Sequence, residues 1–362
     1  MQITYQFRLY PTPEQVEKMN RTLELLRRLY NAAKEQREIA YKQFGQAVFY
    51  SMQQSELPVL KTEFPSYKEI HSQVIQDCLR RLDDAFLRFF RREAGYPRFK
   101  SRDKYLSFTY PQHGTIKKTF AEEGYIYLSK IGHVKMNAHR NFDRAKVTQI
   151  NVKRYADKWM TNIQVKVEET ETVSRPEKVV GIDLGLSSFA TLSNETIINT
   201  PRYLRKAEKR LKRYQRRHSR KQKASSNREK SRQKVAKAYQ QVARQRRDFL
   251  HKQSSLIVRD HDLIAVEQLK IKNMLRNRRL AKSIFDAGWS QFITYLSYKA
   301  KRQGKRFVKV PAHGTSQICL CGADVPKTLS VRIHECLTCG IIQDRDLVSA
   351  KVILQRAMSL IA

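Results

Sequence analysis

Residues 2–10 alternate, with Ile3, Tyr5, Phe7 and Leu9 on one side and Gln2, Thr4, Gln6 and Arg8 on the other. A period of two predicts a strand with one buried face. Thr12-Pro13-Glu14-Gln15 then supplies an N-cap, a proline at the first helical position and a capping-box partner. The period changes to helical, with Met19, Leu23, Leu26, Tyr30 and Ala33 on one face. The stretch 44–68 is weakly patterned. A second helix is predicted near 69–93, with Val74, Cys78, Leu82, Phe86 and Phe89 apolar and Gly95 ending it. From Tyr96 to about Val173 the chain turns to short strands, at Tyr105–Tyr110, at Gly124–Leu128 and in the alternation Trp159–Val165. These predict an antiparallel sheet or small barrel that strand 2–10 joins, so that the helices are an insertion. Residues 171–177 read as a linker.

Beyond the linker, Val179-Val180-Gly181-Ile182-Asp183-Leu184-Gly185 reads as a buried strand ending in an acid and a glycine turn, and Ser188–Leu192 as its return strand. Residues 202–252 predict a helical hairpin around the break Ser225-Ser226-Asn227. Leu263–Val266 is another apolar strand, closed by Glu267. Ser283–Arg302 reads as one amphipathic helix, Phe307–Val310 as a strand, and Asp346–Met358 as a closing helix. No internal repeat is apparent.

Charge sharpens this picture. The 362 residues carry 71 Lys and Arg against 34 Asp and Glu, a net +37. Such a field attracts polyanions, nucleic acid first among them. The excess is uneven, at +11 in residues 1–180 and +26 in 181–362, and Arg202–Lys252 alone holds 21 basic and 3 acidic residues. No apolar run approaches the roughly 18 residues of a membrane span, and no signal-peptide core is present, so no membrane role and a cytoplasmic location are expected. Five cysteines, four of them clustered, fit metal binding in a reducing compartment better than disulfides. Cys78, in a helical pattern, reads as a small buried hydrophobe.

Three carboxylates occupy similar places: Asp183 and Glu267 at strand ends, Asp346 in the first turn of a helix. Two divalent ions about 4 Å apart can clamp a phosphodiester, and three acids are adequate ligands for magnesium, which keeps several waters. Each acid also has a plain reading, as a turn starter, a solvated strand end or a helix-dipole partner. Their joint order in so basic a chain favours an RNase H-like nuclease sheet. Asp344 competes with Asp346 for the third place or caps the helix.

Cys336-Leu337-Thr338-Cys339-Gly340 has the spacing of a zinc knuckle, whereas its partner Cys319-Leu320-Cys321-Gly322 is one residue short. Four thiolates around one structural Zn²⁺ fit this set, but the shortened pair is expected to strain the tetrahedral geometry, with His313 or His334 as substitutes for a sulfur. Reduced cysteines packing a loop are the alternative. In segment 202–252, basic residues including Arg205, Lys209, Arg213, Arg216 and Arg217 suit phosphate neutralisation, against the plain reading of a solvated helix face. Arg276, Arg278 and Arg279, shortly after Glu267, are candidates to reach a substrate strand near the metals, against the plain reading of ordinary surface loop arginines. In Tyr96-Pro97-Arg98-Phe99-Lys100 aromatic and basic groups interleave, which suits base stacking with phosphate contact by Arg98 and Lys100, or rings that plug a core. Gln76 and Tyr50 are candidates for reading a DNA motif and equally for structural roles.

With these motifs assembled, the chain resembles the TnpB family of transposon-encoded RNA-guided nucleases, compact relatives of type V CRISPR effectors. The matching residues are Gly95-Tyr96-Pro97-Arg98-Phe99, Gly181-Ile182-Asp183-Leu184-Gly185, Glu267-Gln268-Leu269, Asp286-Ala287-Gly288-Trp289, Thr315-Ser316-Gln317, Cys336-x-x-Cys339-Gly340 and Asp344-Arg345-Asp346. The resemblance implies an α/β and α+β multidomain protein. A wedge-like β-barrel (1–10 and 95–173) would hold a helical recognition insert (11–94). A RuvC domain of RNase H fold (179–310 and 342–362) would follow, interrupted by a zinc-binding target-loading module (311–341). It implies a guide RNA, a short DNA motif, cleavage of double-stranded DNA, and a monomer within the ribonucleoprotein. Asp183, Glu267 and Asp346 fall on the family's catalytic, Mg²⁺-binding acids.

Two features depart from the family pattern: the shortened first knuckle, and Val348 where the family carries an Asn that would hydrogen-bond near the site. Both flank the third acid, so they bear on cleavage more than on binding. The expected function is an RNA-guided DNA endonuclease using two Mg²⁺. An RNA-guided repressor with a weakened nuclease and an RNA-independent transposase or resolvase are the rivals.

Overall fold

A computed structural model of the chain describes residues 1–111, 124–155, 158–173, 175–328 and 331–361. Residues 112–123 and 156–157 of the expected strand region, and Ser174 of the expected linker, lie outside the described residues. The chain divides into two compact units, Met1–Glu168 and Glu169–Ala362.

In the first unit, the alternating segment forms β1 (Gln2–Tyr10), with Ile3, Phe7 and Leu9 buried. It pairs antiparallel with β4 (Gly132–Asn137) on one side and β6 (Lys158–Lys166) on the other. With β2 (Ser107–Tyr110), β3 (Tyr125–Leu128) and β5 (Val147–Tyr155), the described strands form one antiparallel sheet in the order β2-β5-β6-β1-β4-β3. Helix α1 (Pro13–Phe44) starts in the expected capping box: Gln15 N–H donates to the Thr12 hydroxyl, and Thr12 N–H donates to the Gln15 side chain. Its predicted face is buried throughout, at Met19, Leu23, Leu26, Tyr30 and Ala33.

The weakly patterned stretch holds α2 (Tyr50–Ser55), α3 (Leu57–Glu63) and a 3₁₀ turn, Pro65–Glu69. One or two turns are too short to repeat a 3.6-residue pattern. The next helix, α4 (Ser72–Phe90), is shorter at both ends than 69–93, because Ile70 and His71 are extended. Gly95 does not end it. Arg92, at φ 58°, turns the chain instead, and the N–H groups of Glu93 and Ala94 donate to the Arg88 carbonyl. Cys78 is buried against the Leu26 carbonyl and the Tyr105 hydroxyl, each 3.2 Å from its sulfur.

The second unit contains β7 (Val179–Asp183), β8 (Ser188–Leu192), β9 (Ile197–Asn199), β10 (Leu263–Glu267) and β11 (Arg306–Val310). Their order is β11-β10-β7-β8-β9. The β7-β8-β9 run is antiparallel, while β10 and β11 run parallel to β7. This is the sheet of an RNase H-like fold. Between β9 and β10 stand α5 (Tyr203–Ser219) and α6 (Ser226–Asp260); Ser225 caps the latter by accepting from Arg228 N–H. Three helices separate β10 from β11: α7 (Ile271–Met274), α8 (Ala281–Ala287) and α9 (Trp289–Arg302). The single helix expected over 283–302 is thus two, because Gly288 at φ 71° ends one and starts the next. Its Cβ would meet Arg246 and Leu250 of α6 at 3.1 and 3.2 Å, so glycine also allows close packing there. The chain closes with the ribbon β12 (Ile333–Glu335) and β13 (Ile342–Asp344), then α10 (Arg345–Ile361).

Strand β10 is buried at all five positions, and its two faces meet different partners. Ile264 and Val266 pack with Leu250, Phe292 and Leu296 of α6 and α9, whereas Leu263 and Ala265 pack with Ile353 and Ala357 of α10. Alternation along a strand therefore assigns Glu267 to the α10 face.

Candidate functional site

Strands β7 and β10 run parallel, with Leu263 opposite Val179 and Val266 opposite Ile182. Asp183 and Glu267 each follow by one residue, so they stand side by side at adjacent strand ends and leave the sheet on the same face. Helix α10 lies across that face, and Gly181 makes the close approach possible: its Cβ would fall 2.1 Å from the Ala350 carbonyl oxygen and 2.9 Å from Leu354 Cβ. From Gly181 to Asp183 the strand advances about 6.6 Å. From Ala350 back to Asp346 the helix retreats about 6 Å. The matched steps bring Asp346 towards the two strand-end acids.

The electrostatics follow from this convergence. Burial pushes the Asp183 carboxyl up to about 8, and the neighbouring charges of Glu267 and Asp346 push in the same direction, against Arg345. Glu267 is also raised by burial; the Thr315 hydroxyl and the Arg356 guanidinium oppose the rise. Thr315 is buried and donates its hydroxyl hydrogen to Glu267 Oε1. Arg356, on α10, donates to the carbonyls of Pro311 and His313 at 3.1 and 2.7 Å. Asp346 accepts from Arg345 Nε and Nη2 at 3.1 and 3.0 Å and faces Arg332 Nη1 at 3.6 Å. Such a set, oxygen-only and crowded enough to hold a proton near neutrality, suits a hard divalent cation.

Asp344 takes the capping role. Its Oδ1 accepts from the N–H groups of Asp346 and Leu347 at 2.8 and 3.2 Å, fixing the start of α10. Val348 is buried and offers only apolar contact. No sequence pattern marks the Thr315–Glu267 bond, whose partners are 48 residues apart; Thr315 belongs to the motif Thr315-Ser316-Gln317.

All four sulfurs of Cys319, Cys321, Cys336 and Cys339 lie within 4.8 Å of one another. Cys319 and Cys339 are 3.5 Å apart and Cys321 and Cys336 3.7 Å, close to the edge of about 3.8 Å expected for a tetrahedron with 2.3 Å metal–sulfur bonds. The short first knuckle reaches this geometry through Gly322 at φ 90°, as the second does through Gly340 at φ 73°. Backbone N–H groups of Cys339 and Thr338 hold the Cys336 thiol below its ordinary range. Neither candidate histidine joins the cluster; His334 is buried with Nδ1 against Lys327 Nζ.

Helices α5 and α6 meet along a narrow seam of Ala207, Leu211, Ala238 and Val242. Arg205, Lys209, Arg213, Arg216 and Arg217 are all exposed, spaced at three and four residues off that seam. Asp286 ties this hairpin to α8, accepting the Leu204 N–H through both oxygens at 3.1 and 3.0 Å. Arg276, Arg278 and Arg279 are exposed after β10. In the first unit, Arg98 is exposed, while Lys100 Nζ sits 5.3 Å over the Tyr30 ring. Tyr96 packs edge-on against Phe86 and Phe89, and Phe99 lies under Lys34, so these rings serve the interior in part. Gln76 and Tyr50 are half-buried, with Tyr50 packed on the core and Arg80 over its ring. Among the described residues no helix is long and apolar enough to cross a membrane.

An RNase H-like sheet with acids on adjacent strand ends, in a chain of this charge, defines an α/β protein of the transposase and nuclease class. The chain belongs to the TnpB family: residues 162–278 match the OrfB_IS605 model, described as a probable transposase. Residues 289–353 match the Cas12f1-like TNB domain and residues 1–46 a helix-turn-helix domain, although 1–46 here form a strand and one long helix. The chain is 34% identical over 364 residues to a Streptomyces pristinaespiralis protein named "Putative RNA-guided DNA endonuclease", covering 98% of this chain and 89% of that one. It is 31% identical over 377 residues to "Putative RNA-guided DNA endonuclease InsQ" of Escherichia coli (strain K12), covering 99% and 93%. Among solved structures, the mini-RNA-guided endonuclease CRISPR-Cas phi3 matches at 10% identity and TM-score 0.49, covering 100% of this chain and 93% of that one.

Proposed function

We propose that the chain is an RNA-guided DNA endonuclease. It would bind a transposon-derived guide RNA, read a short motif beside the target and hydrolyse phosphodiesters in both DNA strands. The observation that carries this reading is the meeting of Asp183 and Glu267 on the face that α10 covers. Identity of 34% and 31% along nearly the whole chain to two relatives that carry that activity in their names supports it.

Asp183, Glu267 and Asp346 are the catalytic residues of this reading and would hold two Mg²⁺. When bound, such ions supply charge neutralisation at the scissile phosphate and an activated water. Thr315 fixes the rotamer of Glu267, Asp344 fixes the start of the helix bearing Asp346, and Arg345 restrains the Asp346 carboxylate. Arg276, Arg278 and Arg279 would contact the strand being cut. The hairpin arginines and lysines would neutralise phosphates without reading sequence, which base pairing with the guide would do. Arg98 and Lys100 would add phosphate contacts, and Gln76 and Tyr50 motif contacts.

Cys319, Cys321, Cys336 and Cys339 would hold one structural Zn²⁺, making 311–341 a target-loading module inserted before the third acid. The first unit would serve as a wedge-like barrel with the helices at 11–94 as recognition insert. A nuclease-weakened, RNA-guided repressor is a second reading, favoured by the buried Val348 and by the arginines that already occupy Asp346. Sequencing RNA that co-purifies through high salt, then challenging a matching plasmid library with Mg²⁺, tests both. Cutting of plasmids that match the guide supports the endonuclease, binding without cutting supports the repressor, and no bound RNA contradicts both.

A further inference from the structure

One face of α1 in the first unit carries a cavity of about 500 Å³, lined by five arginines, Arg21, Arg27, Arg28, Arg102 and Arg154, against two glutamates. The charges are organised around Glu24. Its carboxylate accepts from Arg27 Nε and Nη2 at 3.1 and 2.8 Å, from Arg28 Nε at 3.0 Å and from Arg102 Nε at 3.2 Å. These bonds, that of Arg27 first, hold the Glu24 carboxyl down to about 2, so it stays charged. Arg27 and Asn31 also donate to the Lys100 carbonyl at 3.2 and 3.0 Å, which fixes the loop bearing Arg102 on the helix.

One carboxylate does not require three guanidiniums. A carboxylate offers about four lone-pair sites and each guanidinium five N–H donors. Arg28 and Arg102 reach Glu24 only through Nε, leaving their Nη groups without a protein acceptor among the described residues. Their side chains are 64% and 77% exposed. Paired Nη donors on guanidiniums held in place form the fork that grips a phosphate through two hydrogen bonds. Arg21 is occupied by Glu69, and Arg154 donates to Asn20 at 2.7 Å, so both complete the positive wall.

We propose that this Glu24-centred arginine cradle binds phosphodiester groups of a nucleic-acid backbone, with Arg28 and Arg102 as the gripping residues. All of its residues belong to the first unit. The inference rests on the nucleic-acid reading above, since that reading supplies the polyanion.

The full chain, stripped of co-purifying RNA, is titrated with a mixed-sequence single-stranded RNA and with a DNA duplex of equal length, over a series of salt concentrations. Arg28→Gln/Arg102→Gln is compared with the charge-matched Lys42→Gln/Lys68→Gln and with single Arg102→Gln, whose exposed side chain makes misfolding no explanation. The cradle double variant is expected to weaken binding about tenfold for one or both probes and to lower the salt slope by about 1 to 2; the single variant gives part of this, and the lysine pair little. Loss confined to one probe names the strand type held. Binding unchanged in the double and single cradle variants, or lowered equally by the lysine pair, overturns the cradle. Wild-type protein that binds neither probe overturns the nucleic-acid reading instead.

Discussion

A Cβ on Gly181 would lie 2.1 Å from the carbonyl oxygen of Ala350, so the central strand of the second unit and its closing helix touch through bare backbone. That contact sets where Asp346 stands relative to Asp183. Gly181→Ala forces the helix away, because a backbone carbonyl cannot turn aside as a side-chain end can. Overpacking of this kind costs about 1–3 kcal/mol or more. The variant is expected to melt several degrees lower and to lose cutting even below its melting point; wild-type cutting would show that the spacing does not matter.

Glu267 depends on Thr315. Thr315→Val keeps the volume but removes the hydroxyl that steadies the charged carboxylate, and burial then pushes its proton affinity further up. Losing such a bond to a charged group costs about 1.5–3 kcal/mol, or roughly a ten- to hundredfold loss of cutting. The Mg²⁺ concentration for half-maximal cutting should rise, and the melting temperature should fall by only a few degrees, so the folded variant can be assayed well below its melting point. An unchanged Mg²⁺ requirement would remove Thr315 from the site.

The raised Asp183 gives a pH dependence with a definite sign. Between its ordinary value of 3.8 and about 8, the folded chain holds a proton that the unfolded chain has released. Stability from this group is therefore greatest below about pH 4, falls as pH rises, and levels off above about 8, a swing on the order of 2–5 kcal/mol. In chelator, Asp183→Asn should melt higher than wild type near pH 8 and converge with it near pH 4. Parallel melting curves across that window would mean that Asp183 is not crowded.

The sulfur cluster predicts about one zinc per chain by elemental analysis. Cys336→Ser should lower zinc content and loosen residues 311–341 to protease, with the RNase H-like sheet retained. Zinc-free wild-type protein with all four thiols reduced would assign the cysteines to packing alone.

Where local period dominates, the fold was legible in the sequence. Strand 2–10 and helix 13–44 formed as their spacing predicted, down to the reciprocal bonds of Thr12 and Gln15. The break at Gly288 was not legible, since a glycine inside an amphipathic pattern is tolerated and only its left-handed backbone, packed on Arg246, ends the helix. Gly95 misled for the opposite reason: Arg92 made the turn first. The strand-end positions of Asp183 and Glu267 could be read from apolar runs, but their shared face required the register of β7 against β10. Thr315 reaches Glu267 across 48 residues, and Arg102 reaches Glu24 across 78, distances over which sequence pattern carries no signal.

The most direct test of the central claim is a paired cutting and binding assay on Asp183→Ala, programmed with the co-purifying guide and a matched DNA target in Mg²⁺. Loss of all cutting, with target affinity within about threefold of wild type, is the expected result, because in the proposed function the acid would hold catalytic metal while other residues would hold the phosphates. Mg²⁺-dependent cutting that survives in Asp183→Ala would contradict the assignment of the site.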